Sequence, residues 1–218
     1  MEDALRGAGA GLRLIETLAW DGARPVREER HLRRMARSAE ALGWGFDADR
    51  ARTALREGRS GPARLRLTTD AEGRFEVGEG PLPAVAALWR VAVHPERLSS
   101  GDPWLRHKTT RRRLYDEARA GLPDGIDEWL FLNERGEVCE GTITTLFFDR
   151  GEGWRTPPLG CGCLPGVLRE ELLEQGAREE VLRGEDLPGV RLAVGNALRG
   201  LVPAVLGGGP VRRSSLLT

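Results

Sequence analysis

WLRHKTTRRRLYDEARAG, residues 104–121, contains Lys108, the one lysine in a chain of 218 residues. The other 32 of its 33 basic side chains are arginines. A globular chain of this size usually carries on the order of ten lysines. Codon bias toward arginine accounts for their loss from a surface, where only charge matters. It does not account for the one that stays. Guanidinium remains protonated, with a pKa above about 12. An amine can shed its proton and form a Schiff base. Lys108 is therefore the residue around which a site is sought.

Outward from this stretch the chain reads as α+β. LRLIETLAW (12–20) predicts a strand and EERHLRRMARSAEALG (28–43) a helix, with Leu32, Met35, Ala36, Ala39 and Leu42 at helical spacing. Asp47 is a helix cap for the residues that follow. PARLRLTTDAEGRFEV (62–77) alternates on both sides of DAEG, as a hairpin does, and AVAALWRVAVH (84–94) predicts another strand. Residues 1–94 thus form a small α+β unit. The Pro, Gly and Ser content of PERLSSGDPW makes 95–104 the expected linker, and 105–218 the larger unit. In that unit Thr109 or Thr110 is the expected cap of a helix ending near Gly121. Strands follow, with turns at NERG and DRGEG, then a helix over 164–176 and short strands to the end.

The totals exclude several classes. Net charge is zero and no basic run is concentrated, so nucleic acid is not the expected partner. No apolar run reaches the ~18 residues of a membrane span, and the first residues lack a signal peptide's apolar core, so the cytoplasm is the expected compartment. Cys139, Cys161 and Cys163 form no disulfide framework, and neither they nor His31, His94 and His107 show metal-ligand spacing.

An imine-forming lysine is most often the partner of pyridoxal phosphate (PLP), which needs a group for its ring nitrogen and a cradle for its phosphate. Glu140, in GEVCEGTITTLFF, is a candidate for the first, though an exposed strand-edge glutamate reads the same way. Gly166, Val167 and Leu168 open a helix whose free N–H groups and dipole favour phosphate. Asn196 and Ala197 in VGNALRG offer a second turn. Arg34 adds a charge, unless Arg33, Arg34 and Arg37 are simply a solvated face.

Taken in order, RHLRRM, HKTTRRRLYDEA, DEWLFLNERGEVCEGTITTLFF, TPPLGCGCLPGVLREELLEQG and LAVGNALRGLVPA resemble the class IV, fold-type IV PLP enzymes over roughly residues 12–206. These include branched-chain and D-amino-acid aminotransferases and 4-amino-4-deoxychorismate lyase, and HKTT, PPLGCG and GNALRG look most like the lyase branch. The resemblance implies a two-domain α+β fold with a barrel-like second domain, PLP between the domains, and a homodimer. It implies Lys108 as the Schiff-base lysine and Glu140 at the pyridine nitrogen. It implies Arg34, the Val167 and Leu168 amides, and Asn196 with Ala197 around the phosphate. The family's first strand is expected to be truncated or absent, since the chain starts almost at GLRLIETL, and Thr145 stands where asparagine is common. The implied reaction gives 4-aminobenzoate and pyruvate for folate synthesis, with an aminodeoxychorismate synthase as a possible partner. A class IV aminotransferase is the alternative, and a PLP-binding protein without turnover a third. A substrate with two carboxylates calls for arginine, and Arg66, Arg112 and Arg199 are candidates, with Thr17 and Glu16 on the strand approaching the pocket.

Overall fold

The computed structural model describes residue 5 and residues 11–207. Two sheets organise them. The smaller has the order β1-β2-β3, from β1 (Leu14–Trp20), β2 (Ala63–Thr69) and β3 (Phe75–Gly80), all antiparallel. Its register pairs Glu16 with Leu67 and Leu18 with Leu65 on one face, and Thr17 with Arg66 and Ala19 with Arg64 on the other. Helices α1 (Glu28–Leu42) and α2 (Ala48–Arg56) cover the first face. Leu18, Leu65, Leu67, Met35 and Leu55 are sealed there, each stabilising by about 1.5–3 kcal/mol. Asp47 caps α2 as read, accepting from the Asp49 and Arg50 amides. Gly43 ends α1 at φ 73°, a left-handed position that suits glycine.

The larger sheet runs β6-β5-β4-β11-β10-β7-β8-β9. Its strands are β4 (Trp89–Leu98), β5 (Glu128–Asn133), β6 (Val138–Gly141), β7 (Thr145–Asp149), β8 (Trp154–Thr156), β9 (Arg178–Glu179), β10 (Arg191–Asn196) and β11 (Gly200–Leu206). Phe131, Phe147 and Phe148 are fully buried in it. β4 begins at Trp89, and the change from one sheet to the other falls between Gly80 and Trp89. Residues 95–98 of the expected linker complete β4, and Pro103–Arg106 form a 3-10 turn. Proline and serine there terminate elements rather than join units.

β4 lies parallel to β5. A parallel pair needs a long crossover, and this one carries the 3-10 turn, the Lys108 loop and α3 (Arg113–Ala120). The Lys108 loop bonds to the edge of the small sheet: the Ile15 N–H donates to the Lys108 carbonyl at 2.8 Å and the Thr110 N–H to Arg13 O at 2.9 Å. Neither threonine caps α3, whose flanking residue is Arg112. Thr109 Oγ1 instead accepts from the Arg111 amide and Thr110 Oγ1 from that of Arg13. No described helix is long and apolar enough to cross a membrane.

Candidate active site

Lys108 sits where the two units meet, half-buried, on a loop that both units hold. Burial lowers its amine from 10.5 to about 8, assisted by the charges of Arg34, Arg112 and Arg66 and opposed by Glu16. Removing solvent and adding cationic neighbours both disfavour the ammonium form. This brings the neutral form, which a nucleophilic or basic amine requires, to roughly a tenth of the population at pH 7.

Arg34 lies on the inner face of α1, 4% exposed. Its Nε donates to Glu16 Oε1 at 2.8 Å and its Nη2 to Glu16 Oε2 at 2.6 Å, a two-pronged pair. Its Nη1 donates to the Pro165 carbonyl at 3.3 Å, which aims the guanidinium at the start of α4 (Val167–Glu174). His31 Nδ1 meets Glu16 Oε2 at 2.6 Å. Burial works against the Glu16 charge, but Arg34 and His31 together hold its carboxyl well below the usual range. Burial lowers His31, against the pull of Glu16. Glu16 is thus the anchor of Arg34, a role its position on β1 did not announce.

Two turns meet at that start of α4. Gly166 caps α4 without a side-chain bond, and the first amides of a helix have no partner within it. A Cβ on Gly166 would stand 2.7 Å from Thr145 Oγ1, so glycine keeps the approach open. The second turn joins β10 to β11. Asn196 organises it: Nδ2 donates to Ile143 O, and Oδ1 accepts from the Leu198 and Arg199 amides. Its side chain is therefore committed to the turn, which leaves contact with a ligand to the backbone beside Ala197. Gly195 lets the turns meet, since a Cβ there would lie 2.8 Å from Leu168 Cδ2.

Glu140 is 8% exposed in β6. Its Oε1 accepts from the Tyr115 hydroxyl at 2.7 Å and its Oε2 from the Leu164 amide at 2.9 Å. Burial raises its carboxyl to about 7, although both bonds favour the charged form. Burial and the adjacent Glu140 push the Tyr115 hydroxyl far above its ordinary range, so it stays a donor. Below this group, fully buried Glu128 accepts from the Thr142 and Ile143 amides and the Thr144 hydroxyl, fixing loop 141–144 after Glu140. Tyr115 and Glu128 both escape a sequence reading, because nothing in their spacing points to Glu140.

The candidate carboxylate contacts separate. Arg66 and Arg112 both act on the Lys108 charge. Arg66 pairs in register with Thr17 on the face of the small sheet away from α1 and α2 and makes no ion pair among the described residues. Arg112 is tied to Asp116 at 2.7 Å and to Thr142 O at 3.1 Å, over the Tyr115 ring. Arg199 stands elsewhere, over the Trp89 ring, with Arg119, Glu128 and Arg64 as its charged neighbours.

These donors fit PLP. The cradle of Arg34, the Gly166–Leu168 amides and the Ala197 turn suits a phosphate dianion. Glu140, a buried acid with two donors, has capacity for a third, since a carboxylate accepts about four bonds.

The family model for amino-transferase class IV matches residues 13–206. The chain is 29% identical over 181 residues to a candidate aminodeoxychorismate lyase of Schizosaccharomyces pombe, covering 78% of this chain and 77% of that protein. A structure of a candidate amino-acid aminotransferase from Mesorhizobium loti is 44% identical, covers 89% of this chain and 99% of that one, and superposes with a TM-score of 0.83. The 4-amino-4-deoxychorismate lyase of Pseudomonas aeruginosa is 25% identical, covers 92% of this chain and 85% of that one, with a TM-score of 0.78.

Proposed function

The chain belongs to the class IV aminotransferase family, and from that premise we propose that it is a PLP-dependent lyase that converts 4-amino-4-deoxychorismate to 4-aminobenzoate and pyruvate. The observation that carries the chemistry is Lys108, the chain's sole lysine, with its amine lowered to about 8 between the two units and buried Glu140 in the same site. The likeness to lyases in both the sequence and the structure comparisons supports the choice of reaction.

Bound there, PLP supplies an electron sink through its ring. The protein's own groups do the rest. Arg34, the α4 amides and the Ala197 turn hold the phosphate. Glu140 holds the proton on the ring nitrogen. With PLP bound, Lys108 in its neutral form would be the base that takes the proton from the amine-bearing carbon of the substrate. It returns that proton to the departing enolpyruvyl group, so protons balance as the ring becomes aromatic. Arg66 and Arg112 flank Lys108 and meet the substrate's carboxylates.

A second reading, an aminotransferase, has the 44% identical Mesorhizobium loti protein in its favour. The first experiment is a visible spectrum with PLP before and after borohydride, with peptide mapping. A band lost on reduction and a pyridoxyl mass on Lys108 support the site. Incubation with 4-amino-4-deoxychorismate then decides the reaction. Release of 4-aminobenzoate with pyruvate supports the lyase. Amine transfer to a keto acid without that release refutes it in favour of the aminotransferase.

A further inference from the structure

Among the described residues Arg27 is the one non-glycine with a left-handed backbone, φ 58° and ψ 27°. Such a conformation is sparsely populated by side chains other than Asn, Asp and Gly, and it persists where its surroundings over-determine it. Arg27 precedes the first turn of α1, but its side chain makes no capping bond there. It crosses to the larger unit instead. Nε donates to Glu171 Oε2 at 2.7 Å and Nη1 to the Ala197 carbonyl at 3.0 Å.

One acceptor belongs to α4, whose start Arg34 reaches through the Pro165 carbonyl, and the other to the β10–β11 turn that packs against α4. Glu171 lies one helical turn beyond Val167 on α4, and Ala197 lies in the β10–β11 turn. Arg27 immediately precedes α1, the helix that carries Arg34. One guanidinium therefore joins three pieces: the helix bearing Arg34, α4, and the second turn. Arg30 with Glu174 and Arg33 with Glu170 continue the contact outward, in more exposed positions. Neither reaches the β10–β11 turn. The Arg27–Glu171 pair is the more sheltered, at 26% and 22% exposure.

We propose that Arg27 is a positioning residue for the phosphate cradle: it sets the separation of the α4 start and the β10–β11 turn, and thereby the affinity for the phosphate group of the cofactor. This rests on the reading of the site as a PLP site. Its left-handed backbone is what directs the side chain across the gap between the units.

The test compares PLP with pyridoxal, which lacks the phosphate. Dissociation constants for both are measured by absorbance for the wild type and for Arg27→Ala, Arg27→Gly and Arg27→Lys. Arg27→Ala is expected to weaken PLP about tenfold, the scale of a lost charge-assisted hydrogen bond, with pyridoxal unchanged within about twofold. Arg27→Gly, which relieves the backbone, is expected to match Arg27→Ala, and Arg27→Lys to fall between it and the wild type. Inorganic phosphate should compete with PLP less well in Arg27→Ala than in the wild type. Unchanged PLP affinity in Arg27→Ala overturns the proposal. So does an equal loss for PLP and pyridoxal, because that marks a general role in the fold. A wild type that binds neither compound overturns the PLP reading and this proposal with it. Wild-type binding with indifferent Arg27 variants overturns this proposal alone. If Arg27→Ala does not fold, Glu171→Gln is read by the same ratio and should shift it in the same direction.

Discussion

Replacing Lys108 with methionine should make the PLP-free protein more stable, by an amount that depends on pH. The lysine amine goes from 10.5 in the unfolded chain to about 8 in the fold, chiefly through burial and Arg34. Each unit is worth about 1.36 kcal/mol between protonation states. The full shift is therefore roughly 3 kcal/mol, reduced to about 2–3 kcal/mol because the side chain is only half-buried. Between pH 8 and 10.5 the unfolded chain binds more protons than the folded one, so stability rises with pH across that window. Below pH 8 both forms are protonated and the whole penalty stands. Methionine keeps the length of the side chain and removes the charge. At pH 7 the Lys108→Met variant should melt about 4–12 °C above the wild type, at about 2–4 °C per kcal/mol for this chain length. The gap should close toward pH 10.5. Thermal melts of both proteins without cofactor, from pH 6.5 to 10.5, provide the check. Equal melting temperatures at pH 7, or a gap that widens with pH, would refute the reasoning that burial beside Arg34 holds this amine down.

Glu140 should behave as the mirror case. Its folded value of about 7 lies above the ordinary 4.5, so its contribution is fully present below pH 4.5 and is lost as pH rises through 7. Glu140→Gln should thus stabilise the PLP-free protein at pH 8 and not at pH 4.5, read by urea unfolding. Tyr115→Phe removes a bond that favours the charged carboxylate, so the Glu140 titration, followed by carbon NMR, should move upward from about 7. Burial pushes the Cys161 and Cys163 thiols up to about 12 and Cys139 higher. A disulfide reagent at pH 8 should label all three slowly in the native protein and rapidly in denaturant. Asp47→Ala removes the cap of α2 and should cost about 1 kcal/mol in chemical denaturation.

What the sequence discloses follows from how local each signal is. α1, α2 and the β2–β3 hairpin are legible because period, cap and turn residues all lie within a few positions of one another. Lys108 is legible by a different route, as the one place where an arginine-using chain keeps an amine. The partnership of Glu16 with Arg34 and His31 is not legible. It depends on which face of β1 meets α1, and strand register alone decides that. Tyr115 is hidden for the same reason: its hydroxyl reaches a strand 25 residues away. The 95–104 stretch misleads because proline and serine mark the ends of β4 and of the next turn as readily as they mark a tether. The commitment of the Asn196 side chain to its own turn also needs coordinates, since the residue type serves either purpose. Composition does not distinguish the three candidate arginines, whereas the fold separates their surroundings, with Arg66 and Arg112 acting on the Lys108 charge and Arg199 stacked over Trp89.

Among the described residues the backbone passes from the small sheet to the large one through residues 81–88, where Val85 is fully exposed. Covalent continuity is therefore not what keeps the two units in register. The Arg13–Thr110 and Ile15–Lys108 backbone bonds and the α1–α4 ion pairs do that. A cut at this crossing would yield two fragments, one bearing Arg34 and the other Lys108 and Glu140. Neither fragment alone holds all the residues of the proposed PLP site, so under that proposal the colour of bound PLP would report their reassembly.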